Sequence, residues 1–196
     1  MRNNQPVTQR EYVLDEETVL ISRSDLKGNI TYANAAFVEV SGYSRDELLG
    51  APHNLIRHPD MPEAAYADFW KTIQAGGTWQ GTVKNRRKNG DHYWVNATVA
   101  PLRDGDRIVG YTSLRRKASP KRIALAEQVY ADIREKGKSR RYTLQQGALQ
   151  RRGARWHCRP LSIHQSQSQI DRDGRGSRRV ARAVGWTGSL RFERVW

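Results

Sequence analysis

Three glycine-centred turns govern what residues 19–114 can become. Asp25-Leu26-Lys27-Gly28-Asn29, Lys88-Asn89-Gly90-Asp91 and Arg103-Asp104-Gly105-Asp106 each place a residue free to adopt positive φ between two strand-like runs. The first turn predicts a hairpin of strands at 19–23 and 30–33. The other two join strands at 79–86, 92–101 and 108–114, with His92, Trp94, Asn96 and Thr98 on one face of the second. Between these groups the spacing turns helical. Ala36, Phe37 and Val40 share a face over 34–41, which Gly42 ends. Ser44 and Glu47 make a capping box for a short helix stopped by Gly50. Residues 51–62, with Pro52, Pro59 and Pro62, read as loop. Residues 63–75 then form a helix with Tyr66, Phe69, Trp70 and Ile73 inward, ended by Gly76-Gly77. The order predicts an α+β fold, a five-stranded antiparallel sheet with short helices covering one face. Ser119-Pro120 opens a further amphipathic helix that runs to about Lys136. Its stripe of Ile123, Ala126, Val129, Tyr130 and Ile133 must pack on the domain, a second copy or another partner.

The formal charge of +14 invites a nucleic-acid reading, which its distribution weakens. Residues 1–120 hold 16 basic and 14 acidic side chains, and 121–143 hold 7 and 3. The last 53 residues, 144–196, hold eleven arginines, no lysine and 3 acidic residues. The front of the chain is therefore nearly neutral and globular, and the excess charge lies behind it. With one cysteine, Cys158, the chain has neither a disulfide framework nor a multi-cysteine metal site. No signal-peptide core and no transmembrane run is seen, and mean hydropathy is −0.81, so the expectation is a soluble, cytoplasmic chain with no membrane span.

Asp25-x-x-Gly28-x-Ile30-x-Tyr32-x-Asn34-x-Ala36-Phe37, then Ser41-Gly42-Tyr43, Glu47-Leu48 and Gly50, resembles the opening of a PAS sensor domain. Trp79-x-Gly81 with Asn85-x-x-Lys88-x-Gly90-x-x-Tyr93-Trp94 resembles its second half, so the likeness spans about residues 19–116. Pro52-His53-Asn54-x-Ile56-Arg57-His58-Pro59-Asp60-Met61-Pro62 narrows it, as does the run from Val83 to Trp94. Both resemble the bacterial aerotaxis receptor family, and Val7-Thr8-Gln9 is similar to that family's regulatory leader. The resemblance implies a ligand pocket between sheet and helices and non-covalent FAD, whose redox state biases a chemotaxis signalling module. It implies FAD contacts at Asn34, Arg57, His58, Asp60, Trp70, Trp79 and Asn85 as a group.

Elementary chemistry is consistent with that set. Asn34 and Asn85 offer amides that donate and accept at a mixed ring edge, and Trp70 and Trp79 offer broad aromatic faces. Arg57 and His58 suit a pyrophosphate or adenine end, and Asp60 suits ribose hydroxyls or a bond to Arg57. Each residue also has a plainer reading: Asn34 as a helix cap, the tryptophans as core, and His58-Pro59-Asp60 as loop structure. A haem held by His53 or His58 stays open. Residues 1–157 contain no cysteine, so the sequence excludes cysteinyl photo-adduct chemistry. No set of nucleophile, base and orienting group emerges, and no catalysis is expected. The basic tip Lys84-Asn85-Arg86-Arg87-Lys88-Asn89 reads as a solvated turn, with contact to a partner or to anionic lipid as its rival.

The organisation expected is an N-terminal cap at 1–18, the PAS sensor domain at 19–118, the helix at 119–137 and an Arg-rich tail at 138–196. From about residue 145 the tail lacks any period, and it is expected to be disordered or non-native, as out-of-frame reading of a GC-rich gene would make it. Restoring the frame should then reveal the family's membrane anchor. The rival is a genuine tail in which the arginines, with Trp156 and Trp186, grip RNA or an anionic membrane. For the whole chain, the leading expectation is an FAD-binding redox or oxygen sensor that forms a PAS–PAS homodimer or contacts a signalling module. A cofactor-free PAS interaction module is the alternative.

Overall fold

The computed structural model describes residues 4–139 and 142–152. Five antiparallel strands form one sheet: β1 (Leu20–Ser24), β2 (Ile30–Ala33), β3 (Trp79–Arg86), β4 (His92–Asp104) and β5 (Arg107–Lys117). Their spatial order is β2-β1-β5-β4-β3, so the last strand lies between β1 and β4. The three glycine turns fall where the sequence puts them. β4 and β5 run further than the sequence predicts because they pair with each other out to Asp104 and Arg107. Pro101 is tolerated inside β4 because the strand has no β3 neighbour beyond the Trp79–Val99 pair.

The helices of the inner face follow their caps. Asn34 accepts from Phe37 N at 3.0 Å and starts α1 (Ala35–Ser41), and Gly42 ends it at φ 74°. Ser44 and Glu47 form the expected reciprocal box on α2 (Arg45–Leu48). The proline-rich loop holds one 3-10 turn, His53–Ile56, before α3 (Glu63–Gln74). Phe37, Leu48, Ile56 and Ile73 from these segments close on Leu20, Ile30, Tyr93, Val95, Ala97 and Val99 of the sheet as the main core.

The amphipathic helix α4 (Pro120–Lys136) finds its partner within the domain. Ala126, Val129 and Tyr130 are buried, and Ala126 and Tyr130 pack with Met61, Ala65, Trp94 and Ala118 beside β3. Tyr130 Oη donates to Thr82 O at 2.7 Å, which explains why a tyrosine serves in a buried stripe. The N-terminal segment is tied across the other end of β3 and β4. Asn4 Nδ2 donates to Asn54 O and Arg57 O, Thr8 Oγ1 to Asp91 Oδ1, and Tyr12 N to His92 O.

One expectation needs correction. The tail at 138–196, which the sequence reads as aperiodic from about residue 145, begins instead with a hairpin of β6 (Tyr142–Gln145) and β7 (Ala148–Arg151). Its turn places Gln146 at φ 50° and Gly147 at φ 84°, the left-handed pair of a type I′ turn, so a Gln-Gly turn signal stood unread in the sequence. The rest of the tail, residues 153–196 with the remaining arginines and Trp156, Trp186 and Trp196, lies outside the described residues, whereas the supposed frame change near residue 145 falls within the hairpin. Among the described residues no helix is long and apolar enough to cross a membrane.

Candidate functional site

Strand alternation builds the site. Ser22 on β1, Trp79, Val83 and Asn85 on β3, Ala97 and Val99 on β4, and Tyr111, Ser113 and Arg115 on β5 share the inner face by register. Opposite them α3 presents Tyr66, Phe69, Trp70 and Ile73, and the proline-rich loop presents His53, Ile56, Arg57 and Met61. Together they line a cavity of about 240 Å³. It opens beside the exposed Arg23 and Lys27. This volume lies just below the roughly 300–1,000 Å³ usual for small-molecule sites.

The aromatic walls are braced edge to face. Phe69 meets Trp70 and Trp79 with ring centroids 5.2 and 5.3 Å apart, and Trp70 meets Tyr111 at 5.9 Å. Trp79 Nε1 donates to Asp68 Oδ2 at 2.9 Å, which fixes its rotation.

Into this apolar space project polar groups that the fold does not fully use. Arg115 is 6% exposed, and its described hydrogen bonds go to neutral groups: Ser22 Oγ at 3.2 Å and His53 Nε2 at 3.1 Å. Its guanidinium also lies over Phe37 at 5.1 Å. Ser22 Oγ lies 2.8 Å from His53 Nε2. With Arg115 donating to both, the arrangement makes Nε2 an acceptor and places the ring proton on Nδ1. An axial haem bond through Nε2 would compete with these donors. Asn85 is 3% exposed and its Nδ2 has no hydrogen-bond partner, nor has Ser113 Oγ. Across the ladder Asn85 faces Tyr93, whose buried phenol is pushed well above its ordinary value and, like Asn85 Nδ2, has no hydrogen-bond partner. An unpartnered buried amide costs roughly 1–3 kcal/mol, so a cavity lined with them suits a ligand that supplies acceptors and donors.

The seven residues expected at an FAD site do not all meet here. Arg57, Trp70, Trp79 and Asn85 line the cavity. Arg57 stacks on Tyr66 at 3.6 Å and donates to Met61 O, and burial pushes the Tyr66 phenol up to about 12. Asn34 lies outside the lining. Its Oδ1 accepts from Ile21 N and Phe37 N, and its Nδ2 donates to Val19 O, so one bond caps α1 and two tie it to the start of β1. His58 and Asp60 also lie outside. Asp60 holds Lys84 Nζ at 2.7 Å, and its carbonyl accepts from Arg134 of α4. His58 accepts from Asp60 N and packs edge-on to His92 at 5.8 Å. This cluster ties the loop to β3, β4 and α4, behind the cavity wall. The residues the sequence missed are Arg115, Ser22 and Ser113, with His53 considered only as a haem ligand. Tyr111-x-Ser113-x-Arg115 alternates onto one face, but the strand was expected to stop at Leu114.

The histidines predict a pH effect. Burial, followed by Arg115, lowers His53 to about 3, and burial, followed by Lys84, lowers His58 to about 4 and His92 below its ordinary 6.5. The folded state thus binds fewer protons than the unfolded state. Stability is full well above pH 6.5 and falls as pH drops towards 4, with His53 and His58 each contributing roughly 1–2 kcal/mol at pH 5. Carboxylates contribute only lower, because Asp25, Glu47, Asp60 and Asp91 are all held below their ordinary values. Thermal unfolding at pH 7 and pH 5 should show the loss, and His58→Gln should reduce it. An unchanged pH difference in that variant would refute the assignment.

The comparisons with known proteins agree with this architecture. The profile described as PAS fold matches residues 30–113. The aerotaxis receptor of Escherichia coli K12 is 46% identical over 153 residues, covering 78% of this chain and 30% of that protein. This chain carries a PAS domain. The bacterioopsin transcriptional activator of Halobacterium salinarum is 32% identical to it over 105 residues, covering 52% of this chain and 16% of the activator. The nitrogen fixation regulatory protein of Klebsiella pneumoniae is 32% identical over 90 residues, covering 46% of this chain and 18% of that protein. The chain therefore spans less than a third of the length of each of these relatives. The PAS domain is a sensory domain related to the aerotaxis receptor.

Proposed function

We propose that the PAS domain binds a flavin, FAD by the family resemblance, and reports its redox state to a signal-transduction partner. The observation that carries this reading is the cavity wall itself: unpartnered Asn85 Nδ2 and Ser113 Oγ beside the cationic Arg115, framed by Trp70 and Trp79. An isoalloxazine ring has flat apolar faces and a polar edge of acceptors and one N–H, which matches that mixture. When bound, a flavin supplies reversible electron uptake. Asn85 would orient the polar edge, Arg115 would sit against its electron-rich side, and the tryptophans would exclude water. Arg57, on the cavity's loop wall, would meet the phosphates. Residues 1–18 would act as a cap, since residues 4–12 already bind the loop and the β3–β4 turn.

The proposal is tested by the absorption spectrum of the purified protein before and after dithionite, with FAD added at refolding. Flavin bands that bleach on reduction are expected. A featureless spectrum after reconstitution with FAD would overturn the flavin reading. A second reading, pairing of two PAS surfaces without a cofactor, draws on one feature. Tyr32 and Leu114 lie on the outer face of β2 and β5 at 42% and 39% exposure, an apolar surface suited to a partner. Aerotaxis as the output, oxygen as the stimulus and a cytoplasmic setting belong to the same proposal.

A further inference from the structure

Asp68 stands beside the cavity on α3, immediately before the lining residues Phe69 and Trp70. Its carboxylate makes three bonds to two separate parts of the molecule. Oδ2 accepts from Trp79 Nε1 at 2.9 Å and from Gly147 N at 2.7 Å, and Oδ1 accepts from Gln146 N at 3.1 Å. Trp79 is a wall of the cavity, and Gln146-Gly147 is the turn of the β6–β7 hairpin. The turn also lies directly on β3. Gln80 N donates to Gln146 O at 3.0 Å, and a Cβ at Gly147 would stand 2.1 Å from Gln80 O. Otherwise the hairpin rests on the half-buried Leu144 and Leu149, packed against the α4 cluster. The turn's own docking is polar: the Asp68 carboxylate accepts from two of its backbone N–H groups, and Gln146 O accepts from Gln80 N.

We propose that Asp68 couples occupancy of the cavity to docking of the β6–β7 hairpin, so that the segment after α4 reads the state of Trp79. The inference rests on the ligand-binding reading above. The physical reason is a shared atom. The Trp79 indole cannot turn to accommodate a ring without disturbing Oδ2, and Oδ2 also holds Gly147. Linkage is reciprocal, so displacing the hairpin must alter ligand affinity by the factor with which the ligand alters docking.

The test uses the full chain, FAD as the probe and hydrogen exchange of the peptide covering 142–151. Gln146→Pro, which cannot hold the turn's positive φ and removes the N–H given to Asp68, should undock the hairpin and change the FAD dissociation constant about fivefold or more. In a Trp79→Phe background, which keeps an aromatic ring but removes the N–H, the same change should have no effect on affinity. Trp79→Phe alone, without FAD, should speed exchange at 142–151 about fivefold. An undocked hairpin with unaltered FAD affinity would overturn the proposal. If the native chain takes up no FAD, the flavin reading fails instead, and the exchange rate of the ligand-free Trp79→Phe variant decides the coupling: unchanged, it is refuted.

Discussion

A Gly81→Val variant should lose flavin binding and about 1–3 kcal/mol of stability together. Gly81 lies two residues after Trp79 on the inner face of β3, where the indole folds back over it. A Cβ there would stand 2.4 Å from Trp79 Cη2 and 2.7 Å from Cζ2, distances that real Cβ atoms do not show. The branched side chain must push the indole off the strand, and Trp79 then breaks its bond to Asp68 and enters the space meant for a ligand. Both effects follow from one displacement, so they should appear in the same variant. Gly81→Ala, with a smaller intrusion, should show both in weaker form. The measurements are thermal unfolding and flavin retention through gel filtration. Normal retention in Gly81→Val would mean that Trp79 is free to leave the wall.

Arg115→Leu should separate the two properties. A buried guanidinium whose described bonds go only to a hydroxyl and an imidazole is held at a desolvation cost, and this burial also draws its pKa down. Leucine over Phe37 removes that cost, and Ser22 and His53 still have each other. The ligand-free variant should be as stable as the native chain, or more stable by about 1 kcal/mol. Its affinity for FAD should fall about tenfold to a hundredfold, the loss expected when a charged group facing a ligand is deleted. Denaturant midpoints and equilibrium titration read the two effects separately. Severe destabilisation would place Arg115 among the structural residues, and unchanged affinity would remove it from the binding site.

The sheet was legible because tight turns are local. Gly28, Gly90 and Gly105 mark their own positions, and strand alternation then assigns Trp79 and Asn85 to one face without knowledge of the neighbours. Caps were legible for the same reason: Ser44 and Glu47 find each other three residues apart. The strand order was not, because pairing of β1 with β5 depends on the shape of the whole sheet. Arg115 was missed through that gap, since its strand continues because Ala97 of β4 and Leu20 of β1 both lie beside it. His58 and Asp60 carry the chemistry of a phosphate or ribose site, but position decides their use. The loop turns them towards Lys84, His92 and α4, and nothing within the motif itself foretells that direction. The hairpin at 142–151 was obscured by the arginine-rich composition around it, although its turn residues are ordinary.

The placement of β5 between β1 and β4 has a consequence for how the chain assembles. Before β5 pairs, residues 20–33 and 79–104 can each close only as a separate hairpin, with no shared sheet between them. Ser22 and Arg115, whose bond spans 93 residues, meet only when that last strand inserts. Such distant pairing is slow, typically milliseconds to seconds for sheets of this kind. No partial cavity therefore exists for a ligand to stabilise early in folding, and a nascent chain acquires its binding site only once β5 has been synthesised and is free to pair.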